Sequence, residues 1–219
     1  MSLGSYKDLC IDAGDAAALG TFWAAALGLD LRLLDDGDAV LTGATEQHTI
    51  WVNTVPEPKT VKHRLHLDVR TGSVAGLVAL GATVLDDTSF RWTVMADPEG
   101  GEFCAFVRDD VAATHLHELV LDCADPERQA VWWAEVLGGR IGDDAEVPYV
   151  DEIADAPFEN LVLVPVPESK TAKNRVHLDL SVPEIAPLLE VGATLLAEHD
   201  DWSVLADPEG NEFCAFLRT

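Results

Sequence analysis

Basic residues are scarce in this chain: 14 Lys and Arg stand against 39 Asp and Glu, a formal net charge of −25 over 219 residues. So acidic a surface repels phosphate backbones and anionic headgroups, which speaks against nucleic acid and membrane surfaces as partners. The four cysteines include no C-x-x-C pair and make no disulfide framework in a chain of this length. Reduced thiols, and hence a cytoplasmic location, are the expectation. Long apolar runs are missing too. LGTFWAAALGL (residues 19–29) is too short and too interrupted to span a bilayer, and nothing at the start reads as a secretory leader. No Ser-His-Asp order, P-loop or G-x-G-x-x-G after a strand occurs, so hydrolase, NTPase and dinucleotide readings gain no support.

What the chain has is a repeat. DPEGGEFCAF at 97–106 returns as DPEGNEFCAF at 207–216, with only Gly101 and Asn211 differing. PEPKTVKHRLHLDV (56–69) matches PESKTAKNRVHLDL (167–180), and LCIDAGD (9–15) matches LVLDCAD (119–125). Two tandem copies, 1–110 and 111–219, therefore meet near Asp109-Asp110-Val111 without a Gly/Ser-rich linker. Within copy two, LVLDC reads as a strand. Asp125-Pro126-Glu127 then offers an N-cap, a first-turn proline and an acidic first turn for a helix that stops at Gly138. Strands follow around 147–153 and 160–166. The pattern then restarts with RVHLDL, a helix from Pro183 to Val191, and the strands TLLAE, WSVLAD and EFCAFL. Copy one repeats this with helices near 15–27 and 73–80, so the plan is β-α-β-β-β four times over.

Strand alternation sorts the side chains. In RLHLDV, Leu65, Leu67 and Val69 face the helices, while His66, Asp68 and Arg70 share the other face. In EFCAFV, Glu102, Cys104 and Phe106 lie opposite Phe103 and Ala105. A curved sheet with helices outside and polar groups inside is a ligand cup. Asp-Pro-x-Gly suits the turn between the last two strands, with proline preset and glycine free to take positive φ.

This plan, with WTVMADPEGGEFCAF and WSVLADPEGNEFCAF closing the copies, resembles the vicinal oxygen chelate superfamily of glyoxalase I, extradiol dioxygenases and bleomycin-resistance proteins. The resemblance covers essentially the whole chain. It implies an α+β fold of two glyoxalase-like domains with curved mixed sheets and a small-molecule ligand. It also implies a metal held by His and Glu from the first and last strands of the participating units. Carried over by position, the implied histidines fall on His66 and His177, but the glutamates fall on Cys104 and Cys214, and the first-unit positions on Asp8 and Glu118. If cups pair units of different copies, one offers Asp8, Asn53, His177 and Cys214, and the other Glu118, Val164, His66 and Cys104. With the usual ligand set broken, the expectation is a chain that works without the standard metal and without another cofactor.

Three kinds of function remain. One is an isomerase or lyase in which His66 or His177 moves a proton with Glu102 or Glu212 as partner. Asp68, Asp179, Trp92, Trp202, Cys104 and Cys214 would then line the substrate. Another is a binding protein that sequesters a small molecule in an apolar, aromatic cup. A metal-dependent glyoxalase or dioxygenase is a third possibility. Cys104 and Cys214 read better as small core groups than as nucleophiles, Trp23, Trp132 and Trp133 as core, and Lys59, Lys62, Lys170 and Lys173 as partners of acidic groups. Tandem copies in one chain mimic the two-fold pairing of a dimer, so a monomer with an internal pseudo-two-fold, or a homodimer of it, is expected.

Overall fold

A computed structural model of the protein describes residues 2–142 and 146–218; of the outermost residues assigned to the two copies, Met1 and Thr219 fall outside this range. The β-α-β-β-β plan appears four times. The first unit is β1 (Ser5–Ala13), α1 (Ala16–Leu27), β2 (Asp30–Leu33), β3 (Ala39–Thr42) and β4 (Ile50–Thr54). The second is β5 (Leu65–Thr71), α2 (Val74–Leu80), β6 (Thr83–Asp86), β7 (Thr93–Ala96) and β8 (Glu102–Val107). The third is β9 (His115–Cys123), α3 (Pro126–Leu137), β10 (Arg140–Gly142), β11 (Tyr149–Asp151) and β12 (Asn160–Pro165). The fourth is β13 (Val176–Val182), α4 (Ala186–Glu190), β14 (Thr194–Glu198), β15 (Trp202–Ala206) and β16 (Glu212–Leu217).

Two eight-stranded mixed sheets result, and each takes one unit from each copy. Their orders are β14-β15-β16-β13-β1-β4-β3-β2 and β10-β11-β12-β9-β5-β8-β7-β6. The joints are antiparallel. β1 pairs with β13 (Leu9 opposite Leu178, Ile11 opposite Val176) and β5 with β9 (Leu67 opposite Leu119, Leu65 opposite Leu121). These leucines and their neighbours are buried in one hydrophobic cluster shared by the apolar faces of both sheets. The two main helices contribute their tryptophans to it. Trp23 packs edge-on to Phe103, 5.2 Å between ring centres, and Trp133 to Phe213 at 5.6 Å. Phe103 and Phe213 are 1% and 0% exposed, so aromatic burial here contributes about 1.5–3 kcal/mol per ring.

Local chemistry explains the element ends. Asp15 and Asp125 cap α1 and α3 by accepting from the Ala18 and Arg128 N–H groups, and Gly28 and Gly138 close them in the left-handed conformation. The fourth helix is shorter than its expected span of Pro183 to Val191. It starts at Ala186 because Pro187 tolerates only the first turn, and it has no side-chain cap. The sequence pattern does not predict β10; three mostly exposed residues carry too little alternation to read.

The D-P-x-G segments are the expected turns. Asp97 Oδ1 accepts from the Glu99 and Gly101 N–H groups (2.9 and 2.8 Å), and Gly100 and Gly210 have φ of +81° and +87°. The one difference between the repeated decapeptides also has a physical cause. A Cβ on Gly101 would sit 2.5 Å from Asp97 Oδ2 and 2.8 Å from His63 Cε1. In copy two the equivalent of His63 is the smaller Asn174, and Asn211 fills the space. Asn211 accepts from Asn174 Nδ2 at 3.2 Å and donates to Asp207 Oδ2 at 3.0 Å. Burial lowers His63 to about 4, so it is neutral in the folded chain.

Three outcomes are expected. Residues 1–110 produced alone should form a homodimer by β1-to-β5 exchange rather than a folded monomer, read by sedimentation; a stable monomer would show that the joint is dispensable. Gly101→Asn should destabilise the chain, and His63→Asn should rescue it with a coupling of about 1–2 kcal/mol in denaturant melts. His63 takes a proton below pH 6.5 when unfolded but only near pH 4 when folded, so stability falls as pH drops through that window. His63→Asn should flatten this loss by about 2–3 kcal/mol.

Candidate functional site

The cross-copy joints assemble both cups. On β5, His66 and Asp68 lie two residues apart on the face away from the core, and parallel pairing with β8 sets Cys104 opposite Asp68. In the other sheet His177, Asp179 and Cys214 are placed identically by β13 and β16. His66 Nε2 lies 3.4 Å from Asp68 Oδ1 and 3.7 Å from Cys104 Sγ. His177 Nε2 lies 3.4 Å from Asp179 Oδ1 and 3.4 Å from Cys214 Sγ. All six side chains are buried. The antiparallel strand from the other copy then adds an acid in register, Glu118 opposite Asp68 and Asp8 opposite Asp179. A bulge falls next to each, skipping His117 in β9 and Lys7 in β1, a common device for re-aiming side chains beside a site.

Electrostatics separates these triads from the acids around them. Asp8 is paired with Lys7, Asp12 with Lys173, Asp122 with Lys62, Glu102 with Lys59 and Glu212 with Lys170. Among the described residues, the ion pairs of Asp68 and Asp179 are with the histidines alone. Burial governs the protons of the groups that shift. Burial, then the neighbouring carboxylates Asp68 and Asp179, push the Cys104 and Cys214 thiols up. Burial and Asp8 push Asp179 well above the carboxylate range, and burial lowers His177 to about 4.

An aromatic ladder flanks each triad. Phe90 stacks on Trp92 at 5.0 Å and Trp92 on Phe106 at 5.3 Å; in the other cup His199 stacks on Trp202 at 4.5 Å and Trp202 on Phe216 at 6.0 Å. Phe106 and Phe216 share the strand face of Cys104 and Cys214. Glu102 and Glu212 sit two residues earlier and are already engaged. Glu102 accepts from Lys59 Nζ (2.9 Å) and the His63 N–H (3.1 Å), and Glu212 from Lys170 Nζ (2.7 Å) and the Asn174 N–H (3.0 Å). They pin the linkers 55–64 and 166–175 that carry the chain from one sheet to the other.

A cavity of about 980 Å³ lies between those linkers, lined by Lys62, Arg64, Lys173, Arg175, Asp12 and Asp122 among others. It has room for a small ligand. Its charged walls satisfy one another, however, through Lys62–Asp122 and Lys173–Asp12, and its lining includes one buried polar atom without a hydrogen-bond partner, His63 Nε2, whereas each triad holds two. Those atoms are His66 Nδ1, Asp68 Oδ1, His177 Nδ1, Asp179 Oδ1 and, beside them, Asp8 Oδ1. Chemistry favours the triads.

The Glyoxalase-like domain family matches the chain twice, over residues 8–106 and 118–216. The chain belongs to this family, two tandem domains of the vicinal oxygen chelate superfamily. Among solved structures, glyoxalase I from Zea mays is similar at 15% identity with a TM-score of 0.71, covering 97% of this chain and 92% of that one. A putative dioxygenase from Bacillus subtilis is similar at 14% identity and TM-score 0.61, covering 99% and 86%. The cppA protein from Streptococcus pneumoniae is similar at 12% identity and TM-score 0.55, covering all of both chains. Likenesses at this identity establish the fold. No curated protein matches the chain.

A glyoxalase-like fold implies a metal at this floor, and Cys104 and Cys214 stand where glutamate is implied. The donors present nevertheless fit such a group. Nitrogen, oxygen and sulfur of each triad all lie within 4.8 Å of one another, and imidazole, carboxylate and thiolate are all zinc ligands. The role of Asp68 and Asp179 in this set was not visible from the implied ligand positions; their two-residue spacing from the histidines was the available signal. A second missed role is that of Glu99 and Glu209, the variable position of D-P-x-G. Glu99 accepts from the Gly14 and Asp15 N–H groups (2.8 and 2.7 Å), and Glu209 from those of Ala124 and Asp125. Each repeated turn thereby holds the start of a helix in the unit of the opposite sheet.

Proposed function

We propose that the chain is an enzyme of the isomerase or lyase kind, moving a proton on a small organic molecule held in each of its two cups. The observation that carries this reading is the cup floor. There a buried His, Asp and Cys converge, and the Asp oxygen nearest the imidazole has no hydrogen-bond partner, beside an aromatic ladder. The apolar part of the molecule lies against Trp92 and Phe106, or Trp202 and Phe216, and an oxygen lies over the triad. A divalent cation held by His66, Asp68 and Cys104, or by His177, Asp179 and Cys214, would supply a Lewis acid that polarises that oxygen.

The proton needs an acceptor, and the first strand of each cup offers one. Asp8 Oδ2 is held by Trp51 Nε1 (3.2 Å) and Lys7 Nζ (2.5 Å), and the Asp8 carboxyl lies buried against that of Asp179. Glu118 is its counterpart, oriented by Asn160 Nδ2 on Oε1 (2.5 Å). In this reading Asp8 and Glu118 carry the proton, His66 and His177 hold the floor, and Glu102 and Glu212 fix the linkers. A second reading is a sequestering protein; the aromatic ladders with exposed Phe90 and Trp202 favour it.

Incubation with a panel of 2-oxo and 2-hydroxy carbonyl compounds in D2O, followed by NMR, separates the two. Exchange of a C–H for deuterium is expected for at least one compound. Combining Asp8→Asn with Glu118→Gln should slow it about 10²–10⁴-fold. Saturable binding with no exchange of any compound would replace the enzyme by the sequestering protein.

A further inference from the structure

The two copies differ where they face the cups and agree where they cross between the sheets. Cup-side positions in the same register differ in kind: Cys10 answers to Val120, Trp51 to Val162, Asn53 to Val164 and Arg70 to Ser181. The linkers instead keep Glu57 and Glu168, Lys59 and Lys170, Thr60 and Thr171, Lys62 and Lys173, and Arg64 and Arg175 at matching places. Exposed connections ordinarily vary more than the strands they join. Arg64 donates to the Glu168 carbonyl and Arg175 to that of Glu57, so each linker clasps the other crosswise. The cavity of about 980 Å³ lies between them, walled by matching residues of both.

Five of the chain's 14 basic residues line this cavity: Lys62, Arg64, Lys170, Lys173 and Arg175. A surface carrying a net charge of −25 repels a small anion elsewhere, and a cleft lined by cations draws it in. The internal pairs do not exhaust the donors. Lys62 and Lys173 each meet one aspartate, and Arg64 and Arg175 each donate to one carbonyl. An ammonium or a guanidinium so engaged keeps further N–H groups to give. The Thr60 and Thr171 hydroxyls in the same wall have no hydrogen-bond partner among the described residues. Matching donors arriving from two sides suit a ligand with an acidic group at each end. We propose that the linker cavity binds one small dianion per chain, with one oxyanion held by Lys62 and Arg64 and the other by Lys173 and Arg175. Dicarboxylates and diphosphates share this chemistry. Once bound, such a molecule ties the two copies together at their crossing, and it makes no use of the triads or of the activity proposed above.

The test is isothermal titration of the full chain at low ionic strength with succinate and with pyrophosphate, which separate a carboxylate ligand from a phosphate one. Acetate and inorganic phosphate serve as one-ended controls. At least one two-ended anion should bind at one equivalent per chain, about 10-fold or more tighter than its control. It should raise the melting temperature and weaken with added salt. Arg64→Lys combined with Arg175→Lys keeps the charge but loses the planar fork, and should lower the affinity about 10–100-fold. Thr60→Ala combined with Thr171→Ala removes hydroxyls that hold nothing else and should lower it about 3-fold or more; circular dichroism checks that both variants are folded. Two equivalents per chain, equal affinity for one-ended anions, an affinity unmoved in both folded variants, or no binding of either two-ended anion at millimolar concentration would overturn the proposal.

Discussion

The antiparallel pairing of β1 with β13, and of β5 with β9, is the constraint on which the rest depends. It lays leucine against leucine on the core side and acid against acid on the cup side of the same strands. Because the partners come from different copies, neither copy holds a complete sheet or cup. The linkers must then cross from one sheet to the other. The lysines they carry return the scarce positive charge to the cup acids, Lys62 to Asp122 and Lys173 to Asp12.

That distribution of charge leaves the triads exceptional. Burying a carboxylate or thiolate away from water costs several kcal/mol unless it is paired, and most acids of the cups are paired with lysine. Asp68 and Asp179 face an imidazole and a thiol instead. The sheet can place them there because the surrounding leucines and phenylalanines fix both strands. A floor of this kind is buried and short of positive charge, the condition under which a bound cation or a polarised substrate oxygen interacts most strongly.

Much of this was legible in the residues. The doubled decapeptide and RLHLDV/RVHLDL announced four units, and period-2 alternation set His66, Asp68 and Cys104 on one face because a strand leaves a side chain only two directions. Pairings that span more than a hundred residues were not legible, since no local pattern encodes which unit meets which; they entered only as a condition. Glu99 was hidden for the same reason. Its glutamate looks like a variable turn position until the start of α1 is brought beside it.

By itself, then, the sequence determined the repeat, the elements and the facing of each strand, all of which follow from covalent geometry, apolar period and turn chemistry within a few residues. Only the tertiary structure decided that the cups are shared between copies, that Glu102 and Glu212 serve the linkers, and that the triads converge at metal-ligand spacing. Those outcomes depend on side chains from distant strands competing for the same partners, and a carboxylate's role is settled by which cation reaches it.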